Sequence, residues 1–166
     1  AFHGVTSAQT AGLYIHIPFC IRKCAYCDFY SVADPGRMPA FIEALIVEMG
    51  LYAPASRPFD TLYLGGGTPS LLSPHDISRI IQSACSHFDL SPDAEITLEV
   101  NPGTASADAL AGFRAAGVNR LNIGIQSFND DHLRFLRRIH SAGTGESAIR
   151  EARRAGFDNL GLDLIY

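Results

Sequence analysis

Three cysteines lie close together near the start of the sequence. Cys20, Cys24 and Cys27 have the spacing C-x3-C-x2-C and directly follow an apolar, alternating segment. Such a group in a chain without the features of a secretory signal indicates metal binding and not a disulfide framework. Thiolates are preferred ligands of iron–sulfur clusters, and one short loop can bring three of them to a [4Fe–4S] cubane. The spacing therefore predicts a cluster with one iron that has no protein ligand.

A structural zinc site is the alternative on spacing alone. Zinc in such a site takes four ligands, and His16 or Cys85 could supply the fourth. Cys85 falls on the apolar stripe of a predicted helix, where we expect a buried core thiol. The missing fourth ligand favours the iron–sulfur cluster over zinc, because a structural zinc site is closed.

The rest of the chain alternates between strand and helix patterns. Period-2 alternation predicts five strands, at 13–17, 61–64, 95–100, 120–125 and 159–165. Helical periodicity and capping residues predict five helices, at 39–52, 73–88, 106–116, 130–136 and 144–155. Strands that alternate with helices predict an α/β fold with a parallel sheet. We expect a partial (β/α) barrel of about five parallel strands.

One face of the predicted strands is apolar, and the other carries polar residues and glycines. Successive strand residues point to opposite sides, so helices should cover the apolar side. The polar side should border a cavity, because unpaired buried polar groups cost free energy. Its members include Tyr14, His16, Glu99, Gln126 and Asp163. The last three lie at the carboxyl ends of their strands, where barrels of this kind carry chemistry.

A glycine-rich segment, Gly65-Gly66-Gly67-Thr68-Pro69, follows the second predicted strand. Glycine lets a backbone approach a ligand closely and adopt positive φ. A plain tight turn explains the same run, so the segment alone does not establish a binding site.

Together with these motifs, the cysteine loop resembles the cluster loop of the radical S-adenosylmethionine (SAM) superfamily, including the aromatic residue before its last cysteine. In that superfamily SAM chelates the fourth iron and is cleaved to methionine and a 5′-deoxyadenosyl radical. Other segments resemble the oxygen-independent coproporphyrinogen III oxidase branch, namely 14–20, 65–69, 99–102, 122–129, 138–140 and 163–166. The resemblance runs from about residue 13 to residue 166.

The resemblance implies a set of binding residues. It assigns the cluster to Cys20, Cys24 and Cys27. It assigns SAM contacts to Tyr14, Tyr26, Gly66, Gly67, Thr68, Glu99, Gln126, Arg138 and Asp163. An ion pair between Glu99 and Arg138 would be a purely structural explanation of those two residues. Arg22 and Lys23, inside the loop, could offset the charge of a cluster or could be solvated. His75, His87, His132 and His140 are expected on surfaces, without a role.

The residues after the third cysteine separate two functions within this branch. The oxidases have C-x3-C-x2-C-x-C, whereas Phe29 stands at the fourth cysteine position here. This pattern resembles the HemW family of heme chaperones, which bind heme and pass it to acceptor proteins. The resemblance implies a chaperone with a [4Fe–4S] cluster, SAM and heme, the heme site lying beyond Tyr166. The alternative is oxidative decarboxylation of the propionates of coproporphyrinogen III.

Composition limits which other classes of protein this sequence could belong to. The 166 residues are 47% hydrophobic and 18% charged, which predicts one ordered globular domain. A net charge of −4 without a basic run argues against nucleic-acid binding. No stretch approaches the ~18 apolar residues of a membrane span. We expect a flexible leader at 1–11, a core domain at 12–166 that belongs to a longer protein, and a cytoplasmic location.

Overall fold

The computed structural model describes residues 10–52 and 58–166, so most of the predicted leader lies outside the described residues. Five strands form one sheet: β1 (Ala11–Ile17), β2 (Phe59–Gly66), β3 (Leu90–Val100), β4 (Arg120–Gln126) and β5 (Asn159–Leu164). Neighbouring strands pair in parallel in the order β1-β2-β3-β4-β5. The predicted α/β fold with five parallel strands is confirmed.

Five helices lie between the strands in sequence: α1 (Met38–Tyr52), α2 (Pro74–His87), α3 (Ala107–Ala115), α4 (Asp130–Phe135) and α5 (Ala142–Arg154). Their boundaries follow local capping. Ser73 accepts a hydrogen bond from the Asp76 N–H at 3.1 Å, with Pro74 at the first position of α2. Gly117 and Gly156, with φ of +109° and +88°, follow the ends of α3 and α5.

Several boundaries differ from the predictions by two residues or more: β1 and β2 each begin two residues earlier than predicted, β2 ends two residues later, and the starts of α5 and β3 also differ. α5 begins at Ala142 and not at 144, because Ser141 caps it by accepting from the Thr144 N–H at 3.2 Å. β3 begins at Leu90 and not at 95, because Leu90 pairs with Phe59 of β2 before a shift in register. These corrections all lie at element ends, where apolar periodicity carries the least information.

The hydrophobic core lies between one face of the sheet and helices α1, α2, α3 and α5. Fully buried strand residues alternate along the sheet, as with Leu98 in β3 and Ile123 in β4. The predicted apolar face is therefore the face that the helices cover, and the polar residues are left on the opposite side. β5 is an edge strand, and its Leu162 and Leu164 are exposed.

Cys85 does not lie in the core, as the helical stripe had predicted. Its thiol is free and exposed. The buried face of α2 runs instead through Ile77, Ile80, Ile81, Ser83 and Ala84. At ~100° per residue Cys85 lies at one margin of this face, beyond what the neighbouring elements cover.

Candidate functional site

The cysteine loop leaves the sheet directly after β1 and is closed at its base. Cys20 N–H donates to the Val32 carbonyl at 3.1 Å, and Val32 N–H donates to the Pro18 carbonyl at 2.6 Å. Inside the loop, Cys27 N–H donates to the Cys24 carbonyl at 3.2 Å. All three thiols are free and half-buried, and they line one cavity. The loop thus presents three potential metal ligands to the same space.

The cavity lies over the carboxyl ends of the strands. Its wall includes residues from the cysteine loop, the glycine-rich segment, β3, β4, β5 and the segment after α4: Cys20, Arg22, Lys23, Cys24, Tyr26, Cys27, Phe29, Gly66, Gly67, Thr68, Glu99, Asn122, Gln126, Arg138 and Asp163. Eight of the nine residues that the resemblance assigned to SAM lie here. The structure therefore brings them and the cysteines together around one space.

Tyr14 is the ninth, and it does not line the cavity. Its ring stacks on Tyr63 with centroids 5.9 Å apart, and 53% of the residue is exposed. Its hydroxyl lies 3.3 Å from His16 Nδ1, and His16 Nε2 lies 3.0 Å from the Tyr30 carbonyl. Nε2 must donate to this carbonyl, so the neutral ring accepts the Tyr14 O–H at Nδ1. Tyr14 thus contacts the cysteine loop indirectly, through His16.

The glycine-rich segment is packed against the protein's own residues. Gly66 has φ of +112°, and a Cβ there would lie 2.5 Å from the His16 ring. A Cβ at Gly67 would lie 2.6 Å from the Phe19 carbonyl oxygen. These positions need glycine because neighbouring side chains and backbone leave no room for a larger residue. Thr68 Oγ1 donates toward Cys20 Sγ at 3.5 Å, which places the segment beside the cysteine loop.

Glu99 joins the glycine-rich segment to β3. Its Oε2 accepts from the Gly66 N–H at 2.9 Å, and its Oε1 accepts from the Tyr63 hydroxyl at 2.9 Å. Burial, followed by the Glu99 charge, raises the pKa of Tyr63 well above its ordinary value. Among the described residues Glu99 forms no ion pair with Arg138, so the purely structural explanation of this pair does not hold.

Arg138 turns toward the cysteine loop. Its Nη1 donates to Cys24 Sγ at 3.6 Å and to the Tyr26 hydroxyl at 3.3 Å, and its Nη2 donates to the Gly124 carbonyl at 2.7 Å. Burial raises the pKa of Tyr26, and the Arg138 charge opposes that shift. Arg138 Nε is buried without a hydrogen-bond partner among the described residues. A half-buried guanidinium with a spare donor is suited to an acceptor or anion from a ligand.

Gln126 ends β4 in an unusual conformation. Its φ is +64°, one of two positive values among the described non-glycine residues, and the β4–β5 register shifts at this point. Backbone strain of this kind occurs preferentially at binding sites. Beside it, Asn122 Nδ2 donates to Asp163 Oδ2 at 2.9 Å. Asn122 was not among the predicted binding residues, although its position on the polar face of β4 could have identified it as a candidate.

His140 is buried, with 7% exposure, and does not lie on the surface as predicted. Its Nε2 lies 3.2 Å from the Ile125 carbonyl, while Nδ1 is buried without a partner among the described residues. Burial, followed by the nearby Arg138 charge, lowers the pKa of His140. Loop residues have no periodicity, so the sequence carried no signal for this burial.

The three thiols are compatible with an iron–sulfur cluster. Among residues 10–52 and 58–166, no group of three or more His, Cys, Asp or Glu could hold one metal ion. A cubane does not require its ligands to converge, because each thiolate binds a different iron. No helix in the described part of the chain is long and apolar enough to cross a membrane.

Relatives of known name share much of this sequence. It is 39% identical over 162 residues to the heme chaperone HemW of Haemophilus influenzae and 41% identical over 159 residues to that of Escherichia coli. Each match covers 93% of this chain but only 42% of the relative. The chain thus spans about four tenths of the length of these curated relatives.

The fold and a family model agree with these matches. Coproporphyrinogen III oxidase from Escherichia coli, described as a radical SAM enzyme, superposes with a TM-score of 0.84 at 36% identity. The superposition covers 93% of this chain and 37% of the oxidase. The hydrogenase maturase HydG shares the fold at 18% identity, with a TM-score of 0.62. The model of the radical SAM superfamily matches residues 14–166, and the chain therefore belongs to the radical SAM superfamily.

Proposed function

We propose that this chain is part of a heme chaperone that carries a [4Fe–4S] cluster and SAM and transfers heme to acceptor proteins. The observation that carries the proposal is Phe29, which lines the cavity beside the three cysteines. It stands where the oxidases of the resembling branch have a fourth cysteine. Phenylalanine has no atom that can ligate iron or donate a hydrogen bond, so whatever that cysteine does is absent here.

In this proposal Cys20, Cys24 and Cys27 each ligate one iron. The superfamily's cluster, when bound with SAM, supplies an electron for reductive cleavage of SAM. The chain's own residues hold the ligands in place. Arg138 offers a free N–H to an anionic group of SAM, and Asp163 and Gln126 offer polar atoms at the carboxyl ends of β5 and β4. Glu99 acts through Gly66, whose conformation it fixes.

The remaining proposed SAM residues divide into two groups. Tyr26, Gly67 and Thr68 line the cavity and can contact a ligand directly. Tyr14 lies outside it, so we assign Tyr14 a supporting role through His16. We assign the heme site and the contacts with an acceptor protein to the complete protein, because this chain spans only about four tenths of the length of its curated relatives.

Coproporphyrinogen III oxidation is the second candidate. The close superposition on the Escherichia coli oxidase favours it, since the fold that positions the cavity is shared. Radical chemistry requires a substrate held in the correct geometry, and a displacement of ~1 Å can lower the rate about a hundredfold. The change at Phe29 lies in the wall of the cavity, where such a displacement would matter.

The deciding experiment uses the complete natural protein that contains this chain. It is reconstituted anaerobically with iron and sulfide, titrated with heme, and incubated in reduced form with SAM and coproporphyrinogen III. We expect iron and sulfide in equal amounts, saturable heme binding, and no carbon dioxide. Release of carbon dioxide with formation of the divinyl product would establish the oxidase instead. Zinc in place of iron and sulfide would establish a structural zinc module.

A further inference from the structure

Two arginines connect the cysteine loop to the segment between α4 and α5. Arg22 Nη2 donates to the main-chain carbonyl of Arg137 at 2.8 Å. The next residue, Arg138, donates in the opposite direction, to Cys24 Sγ at 3.6 Å and to the Tyr26 hydroxyl at 3.3 Å. These bonds join residues that are 112 to 115 positions apart in the sequence. Each segment therefore restrains the other.

The segment after α4 turns in a way that points Arg138 at the loop. Arg137 N–H donates to the Arg134 carbonyl at 3.0 Å, and Arg138 N–H donates to the Leu133 carbonyl at 2.9 Å. This is the Schellman arrangement, in which the residue at the Arg137 position is usually glycine. Arg137 has φ of +56°, which costs a non-glycine residue ~1 kcal/mol. Such a conformation persists only where its surroundings fix it.

We propose that Arg22 is a positioning residue for the cysteine loop and for Arg138. It holds the Arg137 carbonyl, and so fixes the turn from which Arg138 reaches the Cys24 sulfur. We call Arg22, the Arg137 carbonyl and Arg138 the arginine clamp. The inference rests on the proposed cluster site, which gives the Arg138–Cys24 bond its role. A hydrogen bond to a ligating sulfur stabilises the reduced cluster and raises its reduction potential.

The adjacent Lys23 provides a matched control. It is exposed in the same loop, carries the same charge, and makes no side-chain hydrogen bond among the described residues. Arg22→Ala and Lys23→Ala therefore remove the same charge, but only the first removes the clamp. Arg22→Lys keeps the positive charge and an N–H donor, and the Arg137 carbonyl oxygen needs only one donor. Arg137→Gly keeps the main-chain acceptor while removing the side chain and the strain.

The first test is hydrogen–deuterium exchange of the metal-free chain, followed at loop residues 20–32 and turn residues 136–140. Arg22→Ala should speed exchange in both segments about three- to tenfold. This is the effect expected from the loss of one hydrogen bond whose charged donor is exposed to solvent. Lys23→Ala and Arg137→Gly should leave it unchanged, and Arg22→Lys should restore most of the protection. Equal exchange in Arg22→Ala and Lys23→Ala would overturn the clamp. If Arg22→Ala does not fold, Arg22→Gln, whose side chain is too short, replaces it.

The second test is the reduction potential of the reconstituted cluster. Arg22 and Lys23 both line the cavity, so each alanine variant loses one positive charge near the thiols, whereas only Arg22→Ala also disturbs the bond from Arg138 to Cys24. We expect a lower potential and faster loss of iron to a chelator in Arg22→Ala than in Lys23→Ala. Identical potentials would contradict the positioning role. Should the wild-type chain assemble no cluster, the proposed function fails while the exchange experiment still decides the clamp.

Discussion

Glu99 Oε2 accepts a hydrogen bond from the Gly66 N–H at 2.9 Å, which ties the end of β3 to the glycine-rich segment after β2. The second oxygen of the same carboxylate accepts from the Tyr63 hydroxyl. Both donors are half-buried or buried, so each depends on this carboxylate for its partner. A single acidic side chain on the sheet thus organises the backbone beside the cysteine loop.

Glu99→Gln tests this organisation. An amide has one oxygen, so either Gly66 N–H or the Tyr63 hydroxyl loses its acceptor. We expect the free energy of unfolding in urea to fall by about 1–2 kcal/mol. The affinity of the reconstituted chain for SAM, measured by equilibrium dialysis, should fall as well. Glu48→Gln, at an exposed position of α1, is the control. Equal losses in both variants would contradict the role of Glu99.

Alkaline pH should weaken the fold through Tyr63. Burial and the Glu99 charge raise its pKa in the folded chain above the ordinary value of 10.0. The folded state then holds its proton more tightly than the unfolded state, so the contribution to stability is complete below pH 10 and is lost as the pH rises above it. Tyr63→Phe should reduce the fall in stability measured from pH 9 to 11, while Tyr14 and Tyr26, whose pKa values burial also raises, should account for part of the remaining slope. An unchanged slope in that variant would show that another group is responsible.

Acidic pH should weaken the fold through His140. Burial and the Arg138 charge lower its pKa below the ordinary value of 6.5. Its neutral form donates from Nε2 to the Ile125 carbonyl, and protonation would place a charge on the unpartnered Nδ1. Stability is therefore complete above pH 6.5 and falls as the pH drops from 6.5 toward the folded-state pKa. His140→Gln should remove that slope, whereas the control His75→Gln, on the exposed first turn of α2, should keep it.

Regular geometry explains what could be predicted from the sequence. Alternation along a strand is local and rigid, so the sequence alone could assign Glu99, Gln126 and Asp163 to one face and to the carboxyl ends of the strands. Cysteine spacing is equally local. Parallel pairing then brings the strand ends together, and the cavity follows.

Contacts between irregular segments could not be predicted in this way. The bond from Arg22 to the Arg137 carbonyl depends on a turn with positive φ at an arginine, which no periodic pattern indicates. The burial of His140 depends on the same connection. Tyr14 was placed on the correct face, but its strand lies at the edge of the sheet, and stacking on Tyr63 keeps it out of the cavity.

The cysteines should separate into two classes. Substitution of Cys20, Cys24 or Cys27 by alanine should abolish the reconstituted iron–sulfur absorbance, because each is the only proposed ligand of one iron. Cys85→Ala should retain it, and in the wild-type chain the exposed Cys85 should react first with an alkylating reagent. Iron analysis and mass mapping of the label measure both. A cluster lost in Cys85→Ala but kept in one of the loop variants would overturn the ligand assignment.

Asn122 should contribute to SAM binding through Asp163. The two residues lie on neighbouring strands, and the register places Asn122 opposite Gly161, so the amide reaches over a residue without a side chain. A Cβ at Gly161 would lie within 2.9 Å of Arg120 Nη2, which confirms that the space above it is filled. From there Asn122 Nδ2 donates to Asp163 Oδ2 and holds the carboxylate at the cavity wall.

A double-mutant cycle with Asn122→Ala and Asp163→Asn isolates this effect. We expect Asn122→Ala alone to weaken SAM binding about three- to tenfold, as for loss of one hydrogen bond that contributes about 1 kcal/mol. In the Asp163→Asn background the same change should have little effect, because the carboxylate it orients is absent. Affinity is measured by equilibrium dialysis on the reconstituted chain, with iron content as the check that the cluster is intact. Additive losses in the double variant would show that Asn122 acts on SAM independently of Asp163, and the orienting role would then be wrong.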